Sequence, residues 1–146
     1  MSWFTLLFKK GEESSTIPTD VPTVLVIDPS AIVRKTFEEM FREEAYQVSS
    51  VSNEADARKQ LLEVLPDVAF IDLGLREEGA VNLCRFIKGH PKLKDKAVFV
   101  LVPAFMPCDD DLAKRMHANG HFRKPLESIK NVIDAVNAVT TRGEKI

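Results

Sequence analysis

The sequence predicts an α/β fold, a parallel five-stranded sheet with helices on both faces, and three observations carry that prediction. Short β-branched runs alternate with longer segments of helical periodicity. The strand runs are apolar almost throughout, as strands covered on both faces require. No internal repeat or low-complexity segment offers another architecture. With 146 residues and a formal net charge of -2 at pH 7, the chain fits one domain with a real hydrophobic core.

The elements follow in order. MSWFTLLFKK (1–10) places Trp3, Phe4, Leu7 and Phe8 at helical spacing, and GEESSTIPTD (11–20) lacks periodicity. Residues 1–20 therefore read as an amphipathic segment and a linker, 21–141 as the domain and 142–146 as a tail. The expected strands are TVLVI (23–27), YQVSSV (46–51), DVAFI (67–71), AVFVLV (97–102) and a short HF (121–122). Ser30 can cap the first helix, whose Ile32, Val33, Phe37, Met40 and Phe41 form the expected buried face. Asn53 can cap the second, which carries Ala57, Leu61 and Leu65. Val81, Cys84 and Ile87 mark the third, Leu112, Ala113 and Met116 the fourth, and Ile129, Val132, Ile133, Val136 and Val139 the last. Together these make a (βα)5 doubly wound, flavodoxin-like sheet, whose site belongs at the carboxyl ends of the strands near the topological switch point.

Composition and motifs exclude several functions. A mild negative charge without a basic stripe disfavours nucleic-acid binding. Cys84 and Cys108 have neither the number nor the spacing of a disulfide framework or a zinc site, and no secretory signal is present; the expected location is cytoplasmic. Nothing approaches the roughly 20 apolar residues needed to cross a bilayer. No glycine-rich loop follows the first strand, so IDPSAIV cannot wrap a dinucleotide pyrophosphate. His90, His117 and His121 lie apart, without metal-ligand spacing on one helix.

The strand ends carry Asp28, Asp72 and Val102, with Lys124 just past the fifth strand. Two acids and a lysine from distant segments meeting in one crevice would couple their charges. An ion pair at a sheet edge is often only structural, and charge clustering alone leaves both readings open.

From about residue 22 to 140 the chain resembles the receiver domain of two-component response regulators, through VLVIDPS, PDVAFIDLGL, LCRFIKGHP and HFRKPLE in order. The resemblance implies that Asp72 takes the place of the aspartate phosphorylated by a histidine kinase, and Lys124 that of the lysine pairing with acid and phosphoryl oxygens. Pro125 matches a proline that commonly follows a cis bond. Any Mg2+ would lie among Asp28, Asp72 and Gly74, neutralising charge on the transferred phosphoryl group.

Departures accompany the match. Pro29 stands where the family has a metal-binding acid, so Mg2+ binding is expected to be weakened and no cofactor required. Val102 replaces the switch hydroxyl, and Pro103 removes a backbone N–H that would donate to the phosphoryl group. His121 stands at the aromatic switch position, beside the surface of the fourth helix, fifth strand and fifth helix that receivers use for partners. Arg76 and Ala80 replace the usual proline and glycine of the loop after Asp72. Glu77 and Glu78 read as a solvated loop face, against a role as replacement ligands.

The expected function is a stand-alone, atypical receiver-like signalling module that is not an enzyme and acts through protein contact, with phosphorylation impaired or dispensable. The alternative is a working phospho-acceptor modified at Asp72 by a histidine kinase. No output domain is expected, because few residues follow 140. The expected partner is a protein, either a kinase or a downstream effector. Residues 1–10 read first as a self-docking or homodimer contact and second as a membrane-surface contact.

Overall fold

The computed structural model describes residues 21–107 and 110–140. The N-terminal segment and linker, Cys108 and the tail lie outside the described residues, as do the side chains of Glu77, Leu112 and Ala113. Five strands form one parallel sheet in the order β2-β1-β3-β4-β5. In chain order they and their helices are β1 (Thr23–Ile27), α1 (Ala31–Glu43), β2 (Gln47–Val51), α2 (Glu54–Val64), β3 (Val68–Asp72), α3 (Gly79–Gly89), β4 (Ala97–Val102), α4 (Asp110–Arg115), β5 (Gly120–Arg123) and α5 (Ile129–Val139). A 3₁₀ turn, Arg76–Glu78, leads into α3.

Side chains alternate across a strand, and two apolar layers follow from that. Val24, Val26, Phe70, Phe99 and Leu101 meet Phe37 and Phe41 of α1 and Val132 and Val136 of α5. Leu25, Ile27, Ile71, Val98 and Val100 meet Ala57 and Leu61 of α2 and Leu83 and Ile87 of α3. The first layer is aromatic: Phe70 lies edge-on to Phe37 with centroids 5.1 Å apart and stacks on Phe99 at 5.5 Å. Each such ring contributes about 1.5–3 kcal/mol by burial.

The expected caps form. Ser30 Oγ accepts from Val33 N, and Asn53 Oδ1 accepts from Asp56 N. Helical phase corrects the expected face of α1. At 100° per residue Ile32 lies about 140° from Phe37, and it is 80% exposed, whereas Val33, in phase with Phe37, is partly buried. Ile129 and Val139 are in phase with the buried Val132 and Val136 but sit in the first and last turns of α5 and are exposed. Leu65 caps α2 in the left-handed conformation (φ 49°) and, partly buried, still packs against the core with Ala57 and Leu61 as expected. Met116 is buried one residue past α4.

Strand ends shift slightly from the apolar runs. Asp72 pairs with Leu101 in register and so belongs to β3, not to the loop after it, while Tyr46 and Asp67 precede their strands. β5 is two residues longer than HF alone, because Gly120 and Arg123 also pair with β4. The central β1 and β3 send their neighbouring chains in opposite directions, which opens the crevice at their carboxyl ends.

Candidate functional site

The register Ile27↔Ile71 brings the ends of β1 and β3 together, so Asp28 and Asp72 emerge side by side. Both are buried, at 0% and 2% exposure. Three contacts fix Asp28. Its N–H donates to Val51 O (3.1 Å), its Oδ1 accepts from Ser30 N (2.8 Å), and its carbonyl accepts from Arg34 Nη1 (2.7 Å). Asp72 Oδ2 accepts from Gly74 N at 2.9 Å.

Lys124 joins the two acids. It follows β5 directly, held by its N–H donating to Val102 O at 2.8 Å. Its Nζ lies 2.8 Å from Asp28 Oδ2 and 2.7 Å from Asp72 Oδ1. The first contact is a directed hydrogen bond. The second meets the distance but not the angle of one, so Asp72 Oδ1 is buried with a charge partner and without a well-aimed donor.

Burial is the main cause that raises the Asp72 carboxyl above its usual range, and the charge of Asp28 adds to it. Contact with Lys124 and the Gly74 amide oppose that rise without cancelling it. Burial would lower the Lys124 ammonium, yet its close contacts with both carboxylates outweigh that and the group is raised.

The β4 side of the crevice is built differently. Val102 and Pro103 are buried there and contribute neither a hydroxyl nor a backbone N–H. Order in the following loop comes from Arg123, whose Nη1 donates to Met106 O (2.7 Å), Pro103 O (3.2 Å) and Ala104 O (3.4 Å). Gly74 separates the two sides. A β-carbon there would lie 2.8 Å from Asp72 Oδ2 and 3.4 Å from the Pro103 ring, so the close approach requires glycine. Sequence reasoning missed Arg34 and Arg123. The one signal for Arg123 was its place beside Lys124, where alternation aims it away from the carboxylates.

Other expected residues stay outside the pocket. Pro29 is exposed at its mouth. His121 is partly buried on β5 opposite Val100, three residues before Lys124. Glu78 is exposed with φ 59° at the start of α3. The Lys124–Pro125 bond is cis.

As arranged, Asp28 and Asp72 are the two carboxylates the pocket offers Mg2+, which wants near-octahedral oxygen coordination and keeps several waters. Three of the four carboxylate oxygens accept hydrogen bonds from Ser30 N, Gly74 N or Lys124, and the fourth, Asp72 Oδ1, lies against the same ammonium. Pro29 supplies no further ligand, and among the described residues no group of three or more His, Cys, Asp or Glu gathers.

A doubly wound sheet with two acids and a lysine converging at its carboxyl edge has the architecture of a signalling receiver, and the comparisons agree. Residues 24–137 match the response regulator receiver domain, and the chain belongs to that family. The transcriptional regulatory protein GltR of Pseudomonas aeruginosa is 26% identical over 122 residues, covering 84% of this chain and 50% of GltR. The chain thus spans about half the length of that relative. Among solved structures, the chemotaxis response regulator CheY4 of Vibrio cholerae aligns with a TM-score of 0.71 at 17% identity, over 82% of this chain and 98% of CheY4. A crystal structure assigned to a response regulator of Chloroflexus aurantiacus gives 0.75 at 22%, over 84% and 99%. These two likenesses establish the fold. Receiver domains are signalling modules of two-component systems, working with histidine kinases and effectors. Among the described residues no helix is long and apolar enough to cross a membrane.

Proposed function

We propose that this receiver domain signals through protein contact in a pocket state that does not depend on phosphorylation of Asp72. One observation carries the reading: a single ammonium, Lys124, lies within 2.8 Å of both buried acids. An ammonium supplies the positive charge that the family assigns to a divalent ion, and it needs no third carboxylate at Pro29. Chemistry at Asp72 is further disfavoured by the β4 side. With valine at 102 and proline at 103, a phosphoryl group would find neither the hydroxyl nor the amide that would draw that edge toward it.

Partner contact is assigned to the surface of α4, β5 and α5 with His121, whose conformation is then set by packing and not by a phosphoryl switch. Residues 1–10 remain a candidate for a homodimer contact or, secondarily, a membrane-surface contact. The phospho-acceptor reading also has an observation in its favour. Asp72, Gly74 N and Lys124 already stand together as phosphoryl transfer to a carboxylate would need, and Asp72 Oδ1 lacks a directed donor.

Intact mass after incubation with acetyl phosphate and Mg2+, with Asp72→Asn as the control, separates the two. No phosphate adduct on folded protein is the expected result. An adduct that requires Mg2+ and disappears in Asp72→Asn would establish the phospho-acceptor instead.

A further inference from the structure

A groove of about 480 Å³ opens between α3 and the end of α4. Val81, Arg85 and Lys88 line one wall, and Arg115, Met116 and His117 the other. Helices of a parallel α/β sheet run against the strands, so the groove lies toward the amino edge of the sheet, away from Asp28 and Asp72. Its size falls within the roughly 300–1,000 Å³ of small-molecule sites. Its chemistry is one-sided. Among the described residues, every ionisable side chain lining it other than the Cys84 thiol is basic. Buried Cys84 and Met116, with partly buried Val81, form an apolar floor. Burial pushes the Cys84 thiol up to about 11, so it stays neutral and adds no negative charge.

Basic residues in the last turn of a helix complement its dipole, and that accounts for Lys88 and Arg115. It does not account for Arg85, a full turn before the end of α3, or for His117, beyond α4. Arg85 is exposed and has no hydrogen bond or ion pair among the described residues. Lys88 Nζ makes one long contact, 3.4 Å to Lys96 O. Arg85 and Lys88 thus present cationic donors beside an apolar floor.

We infer that this groove binds a small organic phosphate, an anion with an apolar or aromatic body of nucleotide size. The Arg85 guanidinium suits phosphate oxygens, since it can give two parallel N–H bonds to one phosphate, and the Lys88 ammonium adds a second positive charge on the same wall. The Val81, Cys84 and Met116 floor suits the remainder of the ligand. Such a ligand would bridge α3 to α4, the element that follows the loop held by Arg123. The inference is independent of whether Asp72 is phosphorylated.

The test is a titration of the isotope-labelled chain with adenosine triphosphate in the absence of Mg2+, followed by amide chemical shifts. Inorganic pyrophosphate and adenosine are titrated in parallel. Saturable shifts confined to 81–89 and 115–117 are expected, with affinity falling about tenfold or more in Arg85→Glu, an exposed site whose variant keeps the fold. Pyrophosphate should move the same amides more weakly, and adenosine should not saturate. Absence of saturable shifts, shifts centred on residues 28 and 72, or undiminished binding by Arg85→Glu would overturn the site. Pyrophosphate binding as tight as the nucleotide would overturn the apolar half of the ligand, and saturable adenosine binding the anionic half.

Discussion

The two sides of the crevice, the ends of β1 and β3 against the end of β4, are held by different cations in different ways. On the first side a single Lys124 ammonium serves two buried carboxylates, so removing the lysine leaves both without a counter-charge, whereas removing one acid still leaves a matched pair. On the second side Arg123 gathers three carbonyls of an exposed loop, and its loss would return those carbonyls to water. Burial makes the difference. A charge contact at 0–2% exposure is poorly screened, whereas one at the surface competes with solvent throughout. The β1/β3 side is therefore an electrostatic unit that depends on its one lysine, and the β4 side is a positional clamp that can loosen without unfolding the domain.

The largest expected effect tests the first half of that contrast. Lys124→Met leaves Asp28 and Asp72 buried without a counter-charge and should cost about 3–5 kcal/mol in urea unfolding at pH 7. The loss should shrink as the pH falls and the carboxyls take up protons. In the wild type, the contribution from the raised ammonium should be full below its unfolded value near 10.5 and fade as the pH climbs through the higher folded one. A loss independent of pH would mean that Lys124 serves by packing alone.

Gly74→Ala probes the boundary between the sides. The added methyl meets Asp72 Oδ2 and the Pro103 ring, so a destabilisation of about 1–3 kcal/mol is expected, recorded as a lower denaturant midpoint. A neutral substitution would show that the Asp72 carboxylate can swing aside, weakening the description of a tightly fixed pocket.

Arg123→Ala addresses the clamp and should cost about 1 kcal/mol. Its diagnostic readout is hydrogen exchange. Met106 N donates to Pro103 O within the clamped loop and should exchange faster, while the amides of 24–28 keep their protection. Equal loss of protection in β1 would merge the two sides into one unit.

The smallest expected effect is a gain. A folded-state carboxyl raised above its unfolded value binds protons more readily when folded, so stability is lost as the pH rises between the two values. Asp72→Asn removes that penalty. A modest increase in melting temperature at pH 7 is expected, disappearing toward the unfolded carboxylate range near 3.8. A lower melting temperature at pH 7 would mean that the pairing with Lys124 outweighs burial.

Much of the architecture was legible in order along the chain, because strand and helix periods are local properties of the side-chain pattern. Asp28, Asp72 and Lys124 could be placed together from strand ends alone, since a parallel sheet brings all carboxyl ends to one edge. Ile32 shows that apolar character read without helical phase misleads. Its apolar character matched the expected face, but its phase, about 140° from Phe37 and itself readable from the sequence, turns it to solvent. Arg123 shows the other limit. Nothing in HFRKPLE says that the arginine reaches the carbonyls of 103–106, because that contact spans up to 20 residues and depends on β4–β5 register.

By itself, then, the sequence determined the alternation that builds a doubly wound sheet, the identity of the acids and lysine at its edge, and the proline, valine and proline at 29, 102 and 103 that withhold a ligand, a hydroxyl and an amide. Tertiary structure alone decided that one lysine would lie against both acids, that a glycine would let Asp72 and Pro103 approach, and that an arginine would hold the loop beside them. The physical reason is range. Propensity and period act over a few residues of chain, whereas charge pairing and close packing are set by distances between segments that only the folded register brings together.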